Sequence, residues 1–243
     1  MKNSNKQTVG AFTLIELSVV LVIISTIISG ILVGRALIHS AELQAVVAGI
    51  NKYMVAYDQF RLKYDAFPGD MRDAEDYWPG RTANGDGDTR IRQGVYYGLP
   101  QNEAAYTFNQ LSLAGVLDGS FSSYLGFSTD ENMPAGSISG SNFVMVMQSY
   151  LYEFRDVNLI IYQGPFYSSG MHGIGALSPK DAKSIDKKMD NGVAYTGNLV
   201  TINAFALSHT DSTACIDASV TTTPANYNLS VTNTTCRLMY LLE

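Results

Sequence analysis

Asn84-Gly85-Asp86-Gly87-Asp88-Thr89-Arg90-Ile91 carries an oxygen-bearing side chain at every second position up to Asp88. Short side chains at that spacing can converge on one hard cation, as in the first half of an EF-hand loop. Thr89 stands where that loop has Gly, and Val95 where it has its bidentate Glu. A calcium site on Asn84, Asp86 and Asp88 therefore needs a backbone carbonyl near Arg90 and the carboxylate of Glu103 to approach the roughly six to eight oxygens of that ion. A polar Gly/Asp turn without metal accounts for the same residues. Just upstream, Phe67-Pro68-Gly69-Asp70 with Asp73, Glu75 and Asp76 makes an acidic turn beside Trp78. Its carboxylates could join the loop; the reading preferred is a solvated helix start under an aromatic lid, with Trp78 in the core.

Two further residue types carry chemistry. Cys215 and Cys236 are the only cysteines and both lie near the C-terminus. Their count and position fit one loop-closing disulfide in an oxidising compartment better than a metal site, which needs more thiolates or nearby histidines. Two free thiols in a reducing compartment are the alternative. Glu16 is the other such residue, set early in an apolar stretch. A carboxylate there costs about 2–3 kcal/mol on lenient membrane-insertion scales, and a plain anchor gains nothing from it. No enzyme motif accompanies these groups. His39, His172 and His209 are scattered, and no HExxH, GxSxG or P-loop pattern occurs. Gly173-Ile174-Gly175-Ala176-Leu177-Ser178 ends in Ser, so the dinucleotide fingerprint fails. The chain is not expected to be an enzyme.

The elements that must position these residues follow from periodicity. Leu17 to Gly34 contains no charged residue, and 12–34 counts 23 residues. As a helix that is roughly 34 Å, enough for a hydrocarbon core of about 30 Å. Beyond Arg35, Leu43, Val46, Val47, Ile50, Tyr53, Met54, Tyr57, Phe60 and Tyr64 recur at three- and four-residue steps, the stripe of an amphipathic helix. One long helix over about 12–63 results, apolar all round at first and one-faced later, stopped by Phe67-Pro68-Gly69-Asp70. The remainder reads as an α+β head. Helices are expected at 103–115 and 178–189, the latter followed by an Asp190-Asn191-Gly192 turn, and strands at 142–150, 158–163 and 199–206. Periodicity gives no strand order. The net charge of −6 over 243 residues argues against a general nucleic-acid binder, which uses a basic face.

Gly10-Ala11-Phe12-Thr13-Leu14-Ile15-Glu16-Leu17 resembles the leader junction of type IV prepilins and type II secretion pseudopilins. A conventional signal peptide places its small-residue cleavage site after the apolar region. Here Val9-Gly10-Ala11 precedes it, behind Lys2 and Lys6. The resemblance implies that a prepilin peptidase cuts between Ala11 and Phe12 and that the new Phe12 amine is methylated. The family has Gly directly before the cut. Cutting between Gly10 and Ala11 restores that Gly but moves Glu16 from the fifth to the sixth mature position. The first cut is preferred because the spacing of amine and carboxylate has a physical purpose. A neighbouring subunit's Glu16 would neutralise the Phe12 amine, an attraction that strengthens as the dielectric falls and so sets axial register.

The resemblance also implies a pilin-like fold, a long helix packed through its C-terminal half on an antiparallel-sheet head. It divides the chain into a leader (1–11), a transmembrane and assembly helix (12–34), its amphipathic continuation (35–64) and a periplasmic head (65–243). The implied setting is single-pass in a bacterial inner membrane. Implied partners are the prepilin peptidase, other pilin or pseudopilin subunits and the inner-membrane assembly platform. The implied function is that of a structural subunit, a minor one at this length, in a type II secretion pseudopilus; a type IV or competence pilus is the alternative. The calcium-like loop leans toward pseudopilins, several of which bind calcium, whereas the cysteine pair resembles the disulfide-bound loop of many type IV pilins. A membrane-tethered periplasmic enzyme or binding protein is the reading from another class.

Overall fold

The first element, α1, is a helix of 51 residues over Leu14–Tyr64. The structure, a computed structural model, describes residues 13–92, 102–123, 131–147, 157–165, 173–203, 214–217 and 225–242. Gly10, Ala11 and Phe12 at the expected cut lie outside these residues, as do Val95, His172, His209 and the expected strand ends at 148–150 and 204–206. The chain divides into two compact units between Glu42 and Leu43.

In the first unit the apolar side chains of α1 face outward on every side: Leu17, Leu21, Ile24, Ile28 and Ile31 are all exposed. The helix is long and apolar enough to cross a membrane. Three of its hydroxyls are turned back onto the helix. Ser18 donates to the Ile15 carbonyl at 2.8 Å, Ser25 to Leu21 at 2.7 Å and Thr26 to Ile23 at 2.8 Å. Hydroxyls satisfied within the helix present no unmet polar group to an apolar surrounding.

In the second unit the same helix has a core face. Leu43, Val46, Ile50, Tyr53, Tyr57 and Phe60 are buried at alternating steps of three and four, the spacing that keeps one stripe facing inward. Tyr53 meets Phe108 and Phe143 edge-on, with ring centroids 5.4 and 4.8 Å away. Gly49 lets Phe143 press against the helix, because a Cβ there would stand 2.5 Å from its ring. α1 ends where Asp65 turns left-handed at φ 50°. Pro68 follows and cannot extend a helix.

Four strands form the sheet: β1 (Asn142–Met147), β2 (Asn158–Gln163), β3 (Leu199–Asn203) and β4 (Cys236–Leu242). Their order is β1-β2-β4-β3, and every neighbouring pair is antiparallel. The architecture is thus α+β, a long N-terminal helix followed by an antiparallel sheet. The expected strand at 158–163 matches β2 in full. β4, the last strand in sequence yet central in the sheet, is absent from the sequence expectation. Its Cys-Arg-Leu-Met-Tyr-Leu-Leu run has no β-branched residue, so pairing on both edges overrides its local preference. α2 is a single turn over Ala74–Tyr77, α3 covers Glu103–Leu113 and α4 covers Pro179–Met189. α3 packs on β1, and α4 on β3 and β4. α4 starts locally: the Ser178 hydroxyl accepts from the Asp181 amide, and Pro179 opens the first turn, where its missing N–H costs nothing.

Cys215 and Cys236 are bonded, with Cα atoms 5.2 Å apart and a separation of 21 residues. The bond ties residues 214–217 to the start of β4. Trp78 is half-buried at the core's rim, its ring 5.4 Å from Tyr64 and 6.3 Å from Phe60. It therefore matches the aromatic-lid part of the expectation more closely than a central core position.

Candidate functional site

Glu16 sits in the first turn of α1, and its surroundings come from the sequence Thr13-Leu14-Ile15-Glu16. Glu16 Oε2 accepts from the Thr13 amide and from the Thr13 hydroxyl, both at 2.8 Å. The Thr13 hydroxyl accepts in turn from the Glu16 amide at 3.3 Å. This is a capping box, in which side chains satisfy backbone N–H groups that the helix leaves orphaned. The Thr-x-x-Glu spacing of Thr13 and Glu16 is the sequence signature of such a box. Glu16 thus has a structural duty within its own chain, and its carboxylate is already positioned at the residue that follows Phe12.

The second site gathers around Asp70. This buried side chain follows the turn after α1 and receives the 84–92 loop. Its Oδ1 accepts from the amides of Gly87 at 2.6 Å and Asp88 at 3.2 Å, and its Oδ2 from Thr89 at 2.8 Å. The crossing is so close that a Cβ on Gly85 would lie 2.3 Å from the Asp70 backbone. Thr89 takes φ 73°, the left-handed turn an EF-hand loop makes with Gly at the same place. A β-branched residue bears that conformation with strain. Asp86 Oδ1 accepts from the Asp88 amide and Asp88 Oδ1 from the Arg90 amide, both at 3.0 Å.

One oxygen each of Asp70, Asp86 and Asp88 lies within 4.8 Å of the others. The expected set was Asn84, Asp86, Asp88 and Glu103. Asp86 and Asp88 do converge. Asn84 is turned elsewhere, its Oδ1 accepting from the Glu75 amide at 2.8 Å and so holding the first turn of α2. Glu103, 1% exposed, accepts from the Asp86 amide at 3.0 Å and the Arg92 amide at 2.7 Å; it holds the loop's backbone. Asp70 takes the third place, so the acidic turn divides: Asp70 joins the loop while Asp73, Glu75 and Asp76 stay exposed. The signal for Asp70 was the Pro68-Gly69 turn, which aims the following residue inward.

Arg92 was also missed. Its guanidinium lies 3.3 Å from Asp86 Oδ2 and contacts Asp88 Oδ2, giving the carboxylates a cation from the loop itself. Burial pushes the Asp70 carboxyl up to about 6, with backbone N–H groups pulling it down and the charges of Asp86 and Asp88 adding to the rise. Burial likewise lifts Glu103 to about 7, against its backbone hydrogen bonds. The donor set is all hard oxygen and fits calcium in chemistry. Asp86, Asp88 and Asp70 would hold the ion, which would supply charge neutralisation and loop order, with the Arg92 guanidinium as its competitor.

Comparison of the chain with protein-family models, curated proteins and solved structures finds no match.

Proposed function

We propose that this chain is a structural subunit of a type IV pilin-like filament, a minor subunit of a type II secretion pseudopilus. In this reading residues 1–11 are a leader removed by a prepilin peptidase. The Phe12 amine is methylated, α1 is held in the inner membrane, and the second unit stands in the periplasm. The chain then polymerises with other pilin or pseudopilin subunits on an inner-membrane assembly platform and performs no catalysis.

The observation that carries the reading is Glu16, the single carboxylate in the uniformly apolar, outward-facing part of α1. A capping box needs only a hydrogen-bond acceptor at this position, which Gln supplies as well as Glu. Charge becomes useful where a cation must be met at low dielectric, and a cleaved Phe12 amine is such a cation. The two roles separate experimentally. Glu16→Gln keeps the cap and removes the charge; Glu16→Ala removes both. Both variants are expected to remain in the inner membrane and to be missing from sheared filament fractions. Incorporation of Glu16→Gln at the wild-type level would overturn the charge role. Mass spectrometry of the mature N-terminus tests the class directly: N-methyl-Phe12 supports it, whereas an intact Met1 or a cut beyond Gly34 favours a membrane-tethered enzyme or binding protein.

In the same reading the Asp70, Asp86 and Asp88 cluster binds calcium. The ion should raise the melting midpoint by mass action, and Asp86→Ala should abolish that rise. Equal midpoints with calcium and with chelator would reduce the loop to an Arg92-neutralised turn. The Cys215–Cys236 disulfide favours a second reading, a type IV pilus subunit.

A further inference from the structure

At the end of α1 lies a groove of about 500 Å³ bounded by Asp58, Arg61, Leu62, Asp65, Ala66 and Phe67. Its rim is acidic and part of its wall is apolar. Leu62 is 88% exposed, while Asp58 and Asp65 are exposed and have no ion-pair partner among the described residues. The Arg61 guanidinium is stacked over Phe67 and Tyr57, 4.9 and 5.6 Å from their ring centroids. With Arg61 counted, the groove keeps a net charge of −1.

α4 has the opposite arrangement. Its Asp186 is buried, Asp181 accepts from the Ser178 hydroxyl, and the flanking Asp190 accepts from the Leu199 amide. Its lysines have no ion pair among the described residues, and Lys180, Lys187 and Lys188 are exposed. Lys180, Lys183 and Lys187 fall at i, i+3 and i+7, one side of the helix. On α4 the aspartates are thus held by the protein's own donors, while three of its four lysines face solvent.

The spacings also agree. Asp58, in the last turns of α1, and Asp65, the residue just after it, are seven residues apart, and Lys180 and Lys187 are seven apart on α4. The lysine separation is about 10 Å of helical rise, and the aspartates span the final turns of α1 and the residue that follows them. We propose that the lysine face of α4 docks into the α1-end groove of a second copy of this chain. The lysine stems cover Leu62 and Phe67, and the ammonium groups meet Asp58 and Asp65, as a long cationic side chain does when it lies along an apolar wall. Donor and acceptor surfaces are different patches of one chain, so the contact is heterologous and can propagate from copy to copy. It deepens the filament reading and rests on it for the supply of aligned copies.

Zero-length carbodiimide coupling of the full chain in detergent tests this, using a mixture of isotopically light and heavy protein. Light–heavy peptides joining Asp58 or Asp65 to Lys180, Lys183 or Lys187 are expected, and their yield should fall about tenfold at ~1 M salt, where the Debye length is about 3 Å. The doubles Lys180→Glu/Lys187→Glu and Asp58→Lys/Asp65→Lys should each lose the mixed dimer when alone. Mixing the two variants should restore it, an outcome misfolding cannot produce. Lys180→Gln/Lys187→Gln, milder toward the helix, should reduce the yield by a smaller factor. Coupling confined to single copies would overturn the contact, as would a mixture no better than its components. So would lysines shielded from acetylation only by anionic lipid. Normal processing and filament formation alongside any of these results would reject this contact and leave the filament reading intact; an uncut leader would reject that reading instead.

Discussion

Gly30 and Gly34 have nothing within 4 Å of where a Cβ would stand, whereas a Cβ on Gly49 would meet the Phe143 ring at 2.5 Å. All three lie in one unbroken helix. In the first unit Leu, Ile and Val cover every side of α1 and none is buried. In the second, most of the large apolar residues fall on a three-four stripe that the head covers, with Val55 and Leu62 left outside it. Apolar content therefore says little about environment; its angular distribution says much. A stripe one face wide requires one protein partner, and an all-round apolar surface requires either lipid or several helices.

The largest test of this contrast is truncation on each side of the boundary. Phe60 is fully buried, and Phe60→Ala should cost about 3–5 kcal/mol. Ile24→Ala, on the exposed side, should leave the head's melting free energy within about 0.5 kcal/mol of wild type. Near-UV melting of the full chain in detergent reads both. Similar losses from the two substitutions would break the comparison.

Next in size is the disulfide, a covalent restraint found only in the second unit. Closing a loop with a separation of 21 residues is worth about 3 kcal/mol on the chain-entropy model. Cys215→Ser/Cys236→Ser should lower the head's stability by about that amount. Alkylation of both thiols in unreduced protein would show that the restraint is absent.

Gly49→Ala sharpens the contrast on a smaller scale. Ala gains about 1 kcal/mol of helix propensity over Gly in a helix interior. At Gly49 the Phe143 ring must move, and overpacking of that kind costs about 1–3 kcal/mol. The net expectation is a loss of about 1 kcal/mol. Gly34→Ala meets no neighbour and should be neutral or stabilising. A stabilised Gly49→Ala would mean that the ring repacks freely.

The legibility of these features in the sequence follows the range of the interactions behind them. The extent of α1, the whole of β2 and the span of α4 each carry a local signal, in apolar periodicity for the helices and in the Leu-Ile-Ile-Tyr run for β2. The cysteine pairing was readable because only two cysteines exist. β4 was hidden because Leu238, Met239, Leu241 and Leu242 favour helix locally, and only partners some 40 and 80 residues earlier make them a strand. The acidic loop was half-readable. Asp86 and Asp88 could be paired by spacing, but Asp70 arrives from the other side of a chain crossing that depends on Gly85. Arg92 then competes for the same oxygens, something that counting acidic positions does not reveal.

The smallest effect concerns protons and again belongs to the second unit alone. Asp186 is buried in a hydrogen-bonded chain that joins α4, β3 and residue 227. The Tyr227 hydroxyl donates to Asp186 Oδ2 at 2.6 Å and pairs with the Thr201 hydroxyl at 2.8 Å, and the Gly192 amide donates to Asp186 Oδ1 at 3.0 Å. Burial raises the Asp186 carboxyl above its ordinary value of 3.8, and nearby Asp190 adds to the rise, while these donors oppose it. A raised folded-state value means that the folded chain holds a proton which the unfolded chain has released. This contribution is therefore complete below 3.8 and is lost as pH rises through the folded value. Asp186→Asn keeps an acceptor for Tyr227 but cannot titrate. Melts at a series of pH values above 3.8 should show a shallower fall for Asp186→Asn than for wild type, at an overall cost of about 1 kcal/mol from imperfect hydrogen bonding. Parallel curves would mean that Asp186 is ionised throughout and that the donors around it outweigh its burial.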